Sequence, residues 1–228
     1  GKAEEIIIEA SLKNQPFVGI YLKELLRGAN REGIAHALTL MEFYRYMNID
    51  GIDPCMPYLM IAPTKDHILV NHTAVFRGDR FVGILEQDES IAVMILKNLV
   101  KEGRMAMDLS SSEEGGLHDS IAVDLYRTSR KITPMIDGER VKIKIEVKVT
   151  GQLLEHTLSE RSLSYSSIKR QESLFGEKLK NDMKKALSKL QEYQADIVGF
   201  GEIVRVKYPE FFDKEKWRED FAGAEFDI

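Results

Sequence analysis

The sequence contains a single cysteine, Cys55, among its 228 residues. One cysteine cannot form an internal disulfide, and no Cys-x-x-Cys or Cys/His pair offers the ligand spacing of structural zinc. The longest purely apolar run, residues 91–96, is far shorter than the roughly 18 to 20 residues that a membrane-spanning helix needs. The sequence therefore predicts no disulfide, no structural zinc and no membrane-spanning helix in this chain.

The charge balance is mildly acidic, with 37 acidic and 32 basic residues and a net charge of −5. Nucleic-acid binding requires a concentrated basic surface that displaces counterions from phosphates, so this balance predicts no nucleic-acid partner. The start of the chain lacks the basic and apolar stretches of a secretory signal, and Gly1 in place of Met is typical of a processed or truncated chain.

The first part of the chain predicts a small helix-containing subdomain. Residues 6–8 are three isoleucines that favour a strand, and helical spacing then follows as far as Gly28 or Gly33. Residues 39–46 predict a second helix with Thr39 near its N-cap.

Turn-forming residues concentrate between residues 50 and 63, around a short apolar segment at residues 58–61. We therefore predict a boundary near residue 65, which divides the chain into an upstream α/β remainder, residues 1–65, and a C-terminal α+β domain, residues 66–228. After it, residues 68–70, 73–76 and 80–85 read as strands, and Gly78-Asp79 supplies the tight turn of a hairpin.

The clearest strand signal is the strict alternation of β-branched and charged residues over residues 141–149. Its predicted partner is residues 121–132, reached through Asp137-Gly138, and the half-polar pattern favours antiparallel pairing. The sheet should therefore be largely antiparallel or mixed, with one face in the core and one in water.

Helical patterns surround these strands. Residues 88–100 predict a helix capped by Asp88, and one long amphipathic helix is predicted from about residue 166 to about residue 206. Gly199 and Gly201 either break this helix or admit another backbone closely. A short helical or irregular segment around Trp217, residues 214–221, and the start of a closing strand at residues 225–228 complete an α+β fold with its sheet covered by helices.

No nucleotide-binding, metalloprotease, nucleophile-elbow or calcium-loop motif occurs. His118 and Asp119, with the serines at 110–112, contain the ingredients of a hydrolase site, but they lie in a polar segment that favours a solvated loop. His67 and His72 are spaced five residues apart, which would direct them to opposite faces of a strand. We predict no catalytic, cofactor-binding or metal-ligating residue.

An aromatic segment follows the predicted long helix. It presents either a partner-facing or interdomain surface, or it closes the hydrophobic core. Its residues are Tyr208, Pro209, Phe211, Phe212 and Trp217.

Several segments, in this order and spacing, carry a resemblance to one family. They are residues 73–85, Glu86 and Glu89 in the helix after them, residues 131–134, Gly138, residues 142–145, 151–155 and 191–201, Tyr208-Pro209 and Trp217. These segments resemble the C subunits of spore germinant receptors, the GerAC or Ger(x)C family of lipoproteins. The lipid-accepting cysteine of that family is absent, since Cys55 lies deep in the chain, and the family's closing strand is incomplete after Ile228.

The resemblance implies a non-enzymatic subunit of a membrane-associated nutrient germinant receptor, needed for spore germination in response to nutrients. It implies assembly with two integral membrane subunits on the outer face of the spore inner membrane, through an N-terminal lipid that is absent here. It supplies no catalytic residues and no cofactor. Two alternatives remain open: a direct small-nutrient-binding module, and a hydrolase acting in germination.

Overall fold

The computed structural model describes residues 4, 6, 17–64, 67–100, 103–108, 120–156 and 165–228. These residues form a three-stranded sheet and a four-stranded sheet with helices packed against them, which confirms the predicted α+β class. None of the helices in these ranges combines the length and the apolar character that crossing a bilayer requires.

Two helices precede the first strand. Helix α1, Val18–Arg31, continues past Gly28 and ends before Gly33, which has a φ of +69°. Helix α2, Leu40–Met47, begins as predicted at Thr39, whose hydroxyl accepts a hydrogen bond from the Glu42 backbone N–H. Thr39 and Glu42 cap each other reciprocally, which satisfies backbone donors that the first turn leaves open.

The strand predicted at residues 6–8 is wrong at Ile6, which lies in helical backbone, while residues 7 and 8 are outside the described residues. Ile6 packs against an apolar cluster that includes Ala29 and Ile68. Packing of this kind overrides the weak preference of isoleucine for strands.

The first sheet consists of β1, Cys55–Ile61, β2, Ile68–Arg77, and β3, Arg80–Leu85, in antiparallel order β1-β2-β3. The predicted hairpin is present, with Gly78 at a φ of +61° in its turn. β2 is one continuous strand, whereas the sequence predicted two separate strands at residues 68–70 and 73–76. The boundary predicted near residue 65 falls between β1 and β2, which pair across it, and the division into two domains stays a prediction.

Helix α3, Gln87–Leu96, is nearly enclosed, and residues 92–96 are each at most 1% exposed. Its N-cap is Glu86, not the predicted Asp88, and the Glu86 backbone N–H donates to the Glu89 carboxylate at 2.8 Å. The helix ends earlier than the predicted residue 100 because Asn98 adopts a φ of +58°.

The second sheet has the order β4-β5-β6-β7. Its strands are β4, Gly103–Asp108, β5, Ser120–Asp137, β6, Arg140–His156, and β7, Glu225–Asp227. β5 and β6 pair antiparallel through the predicted turn and are longer than predicted, β4 was not predicted, and β7 pairs in parallel with β6.

The predicted long helix is two helices. Helix α4, Tyr165–Tyr193, ends at Gln194, which has a φ of +50°, and helix α5, Phe200–Lys207, begins after Gly199, which has a φ of +89°. Helix α6, Trp217–Ala222, is the helical one of the two alternatives predicted around Trp217. Buried side chains of α4, among them Met183, Leu187 and Leu190, pack in one core with α3 and the inner faces of β5 and β6.

Candidate functional site

The connection between α4 and α5 contains a buried carboxylate. Asp196 is 1% exposed. It accepts hydrogen bonds from the backbone N–H groups of Gly199 and Gly201, each at 2.8 Å, and from the Trp217 indole N–H at 3.2 Å. Because Gly201 lies in the first turn of α5, the carboxylate satisfies donors that a helix start leaves open.

A second carboxylate adjoins the first. Asp53, in the loop before β1, accepts hydrogen bonds from the Asp196 backbone N–H at 3.0 Å and from the Gly78 backbone N–H at 2.8 Å. The Asp53 backbone N–H donates to the Asp196 carbonyl at 2.8 Å, and Arg218 lies 3.6 Å from the Asp53 carboxylate. The Asp53–Asp196 centre thus joins the loop before β1, the β2–β3 turn, the α4–α5 connection and α6.

Two glycines, Gly201 and Gly51, allow α5, α6 and the loop before β1 to lie close together at this centre. A Cβ on Gly201 would lie 2.4 Å from the Trp217 indole nitrogen and 2.6 Å from the Gly51 Cα. Gly51 has a φ of +86°, and its carbonyl accepts a hydrogen bond from the Glu202 backbone N–H at 3.1 Å. Both alternatives that the sequence left open for Gly199 and Gly201 therefore occur: the helix is broken at Gly199, and Gly201 admits another backbone closely.

Burial raises the pKa of Asp196 to about 6, against the opposing effect of the hydrogen bonds from Gly201 and Gly199. Burial also raises the pKa of Asp53, while the Gly78 hydrogen bond and Arg218 act in the other direction. Both carboxylates are enclosed and receive their hydrogen bonds from the chain itself. A general acid or base must reach a substrate, so this arrangement favours a role in joining segments.

The aromatic segment singled out from the sequence lies beside this centre. Trp217 is 5% exposed and packs near Phe212, with ring centroids 5.7 Å apart. Phe211 and Phe212 are partly buried against the core, Tyr208 donates its hydroxyl to a backbone carbonyl of β5 at 3.3 Å, and Pro209 is exposed. The burial of Trp217 agrees with core closure, and a partner-facing or interdomain role for the segment stays a prediction.

A groove of about 950 Å³ lies between the inner face of β5 and β6 and the first half of α4. Leu125, Ile145 and Val147 line it from the sheet, and Phe175 and Leu179 line it from the helix. Its apolar lining suits an apolar segment or molecule better than a small polar metabolite, which needs converging polar groups. No pattern in the sequence indicated this groove.

Two further sets of candidate residues came from the sequence: the histidines considered as metal ligands, and the serine, histidine and aspartate residues considered as a hydrolase site. His72 contacts the Asn71 side chain at 2.6 Å and the Glu86 carboxylate at 2.8 Å. No cluster of His, Cys, Asp and Glu side chains suited to a metal occurs within the described ranges. His118, Asp119 and the serines at 110–112 lie outside the described residues, so the hydrolase alternative stays untested.

Comparison with known proteins shows which class of protein this chain belongs to. The family model described as "Spore germination B3/ GerAC like, C-terminal" matches residues 71–228. In Bacillus subtilis (strain 168), spore germination protein B3 is 30% identical over 65% of this chain and 39% of its own length. Spore germination protein KC of the same organism is 20% identical over 81% of this chain and 48% of its own length. The fold and these relatives place the chain among the spore germination proteins.

The chain belongs to the GerAC, or Ger(x)C, family, the C subunits of spore germinant receptors. The crystal structure of the GerBC protein has the same fold, with a TM-score of 0.69 at 24% identity over 83% of this chain and 58% of that one. The chain spans about two fifths to half of the length of the two curated relatives.

Proposed function

We propose that this chain is part of a non-enzymatic receptor subunit that acts in the spore's response to nutrients by assembling and signalling with two integral membrane subunits. Its membership of the germinant-receptor C-subunit family over residues 71–228 carries the proposal. As the family resemblance implies, the complete protein is held by an N-terminal lipid on the outer face of the spore inner membrane.

The Asp53–Asp196 centre supports a non-enzymatic role. Its two carboxylates bind backbone and indole N–H groups of four chain segments and are enclosed by them. Such a network holds surfaces of different segments in a fixed relation, which a subunit that transmits a signal through contacts requires.

Co-purification tests this proposal. The full-length protein, tagged and expressed at its native level, is solubilised with detergent from spore inner membranes and captured. We expect the two integral membrane subunits to be recovered with it in constant ratio, and a tagged unrelated spore lipoprotein serves as the control. Recovery of the protein without those subunits, under conditions that keep them soluble, would contradict the proposal.

The groove between the second sheet and α4 supports a second candidate, a module that binds a nutrient through its apolar part. Its volume of about 950 Å³ is sufficient for a small molecule, and its apolar lining favours an apolar side chain over a sugar. Calorimetry of the 228-residue chain with apolar amino acids, and with sugars for comparison, at millimolar concentration tests this candidate. Heat signals that disappear when Leu179 in the groove is replaced by a larger residue would support it, and the absence of any signal would count against it.

A further inference from the structure

One side of β6 is an open sheet edge along most of its length. β5 pairs with β6 on one side over its whole length, whereas β7 pairs with the other side only at residues 142–144. Beyond that point no strand pairs with this side of β6 in the described part of the chain. Alternate backbone N–H and C=O groups of β6 therefore have no strand partner, and such an edge readily pairs with another extended segment.

The apolar groove beside α4 follows this edge. Its lining includes four consecutive residues of β6, residues 144–147, although neighbouring side chains of a strand point to opposite faces. A cavity confined to the inner face would be lined by every second residue, so the groove extends around the edge of β6 to its backbone. Phe175 and Leu179 of α4 form the opposite wall.

The burial of the inward side chains of β6 changes where β7 ends. Ile143 and Ile145 are buried, whereas Val147 and Val149, the next two inward residues, are only half-buried. β6 is regular over this stretch, because its pairing with β5 has no bulge between residues 140 and 150. These side chains are therefore exposed because β7 ends, and not because β6 bends away.

β7 points along the groove. It runs parallel to β6, with Phe226 opposite Ile143. Asp227 and Ile228 line the near end of the groove. Phe226 and Ile228 both pack against the core, so the inward side chains of β7 and β6 are in register. With strands about 4.8 Å apart, layers about 10 Å apart and a rise of about 3.3 Å per residue, the groove's volume of about 950 Å³ holds about six strand residues.

We infer that the groove holds a continuation of β7, formed by about six residues that follow Ile228 in the full-length protein. These residues extend the parallel pairing with β6 and satisfy the backbone groups of its open edge. A segment attached to β7 arrives at the edge already aligned, and it occupies the edge before a strand of another protein can bind there. A small nutrient would satisfy few of these backbone groups, whereas a strand satisfies them in series.

The register determines the residue pattern of this segment. The second and fourth residues after Ile228 lie opposite Val147 and Val149 and face α4, so they are apolar. The first and third residues lie opposite Glu146 and Lys148, which are exposed, so they are polar.

Disulfide trapping in the full-length protein tests the inference. Val147→Cys is combined with a cysteine at the second residue after Ile228, which should lie opposite it at a distance that a disulfide can span. In the matched control, the same Val147→Cys is combined with a cysteine at the third residue, which should face the other side of the sheet. Cys55 is buried and stays in place in both variants. Electrophoresis without a reducing agent, after mild oxidation, measures the disulfide.

We expect the first pair to form an intramolecular disulfide at least about tenfold faster than the control pair, because only the first pair has the required distance and direction. Equal rates, or no disulfide in either variant, would overturn the inference. A disulfide between two molecules would also overturn it, because the added strand would then come from a second copy of the chain.

Hydrogen exchange tests the same inference without a change in the groove wall. Proline at the second and fourth residues after Ile228 should prevent strand pairing. Amides of residues 146–151 that point away from β5 should then exchange at least about tenfold faster than in the wild-type full-length protein, while amides of β4 stay unchanged. Equal exchange would overturn the inference and leave the groove to a nutrient. Neither experiment involves the membrane subunits, so this inference and the proposed receptor function can fail separately.

Discussion

At the residue scale, Asp196 is the centre of the polar contacts in the core. Three N–H donors point at its carboxylate, and the residues that supply them are all buried. A buried donor that loses its acceptor destabilises the folded state, because it has given up its hydrogen bond to water and gained none. A buried hydrogen bond that is formed adds only modest net stability. The effect of changing Asp196 should therefore be set by the donors left behind.

The substitution Asp196→Asn tests this dependence. Asparagine keeps one acceptor oxygen but places an NH₂ group toward N–H donors, so we expect the free energy of unfolding to fall by about 1–3 kcal/mol. Urea denaturation at about pH 4, where the contribution of Asp196 is complete, measures it. Asp79→Asn is the control, since Asp79 is exposed in a turn that accepts either residue, and it should change stability little. Equal stability of Asp196→Asn and wild type at that pH would contradict the assigned hydrogen bonds.

The pKa of Asp196 predicts how the loss of stability in Asp196→Asn varies with pH. Burial raises this pKa to about 6 in the folded protein, above the ordinary value near 4, so the folded state holds the proton more tightly than the unfolded state. The contribution of Asp196 to stability is therefore complete below about pH 4 and is lost as pH rises through about 6.

Asp196→Asn lacks this titration, so the stability difference between wild type and variant should shrink as pH rises from about 4 to about 6. Unfolding experiments on both proteins across this range measure it, and titrating groups that do not interact with Asp196 cancel in the difference. A difference that stays constant or grows would show that the pKa of Asp196 is not raised.

At the element scale, replacing glycine by alanine should have opposite effects on stability in two consecutive helices, α5 and α4. Gly201→Ala would place a methyl group 2.4 Å from the Trp217 indole nitrogen, and overpacking of this kind costs about 1–3 kcal/mol. Gly176→Ala, in α4, meets no atom within 4 Å and should stabilise the protein by up to about 1 kcal/mol, because alanine favours helices. Thermal and urea unfolding of both variants should therefore give shifts of opposite sign. A tolerated Gly201→Ala would contradict the close packing of α5 on α6.

Gln191 fixes α4 to the end of α6. Its side-chain amide nitrogen donates toward the backbone carbonyls of Phe221, Ala222 and Ala224 at 3.0, 3.2 and 2.9 Å. Gln191→Glu replaces this donor with an acceptor and should reduce the free energy of unfolding by about 1–3 kcal/mol. Gln152→Glu, at an exposed position of β6, is the matched control in urea unfolding. Equal effects of the two substitutions would show that these contacts contribute no stability.

Elements with local signals could be predicted from the sequence, whereas those that depend on distant contacts could not. The β2–β3 hairpin follows from Gly78-Asp79, the β5–β6 pair from alternation, and α2 from its Thr39 cap. The end of α4 at Tyr193 was not predicted because residues 195–198 continue the apolar spacing, while the backbone N–H of Asp196 donates to Asp53, 143 positions earlier. β4 depends in the same way on pairing with β5.

At the scale of the whole molecule, two features lie on different parts of one fold. The Asp53–Asp196 centre links the first sheet to the helices at the end of the chain, and the groove lies on the inner side of the second sheet. Separate surfaces of this kind suit a subunit that contacts several neighbours.

The most direct test of the central claim is nutrient germination of spores that lack the gene for this protein. We predict that these spores lose the response to specific nutrients, measured as the fall in optical density and the release of spore-core contents. They should germinate normally with a trigger that bypasses nutrient receptors, and the wild-type gene should restore the response. Normal germination of the deletion spores with every nutrient tested would contradict the assignment of this chain to a working germinant receptor.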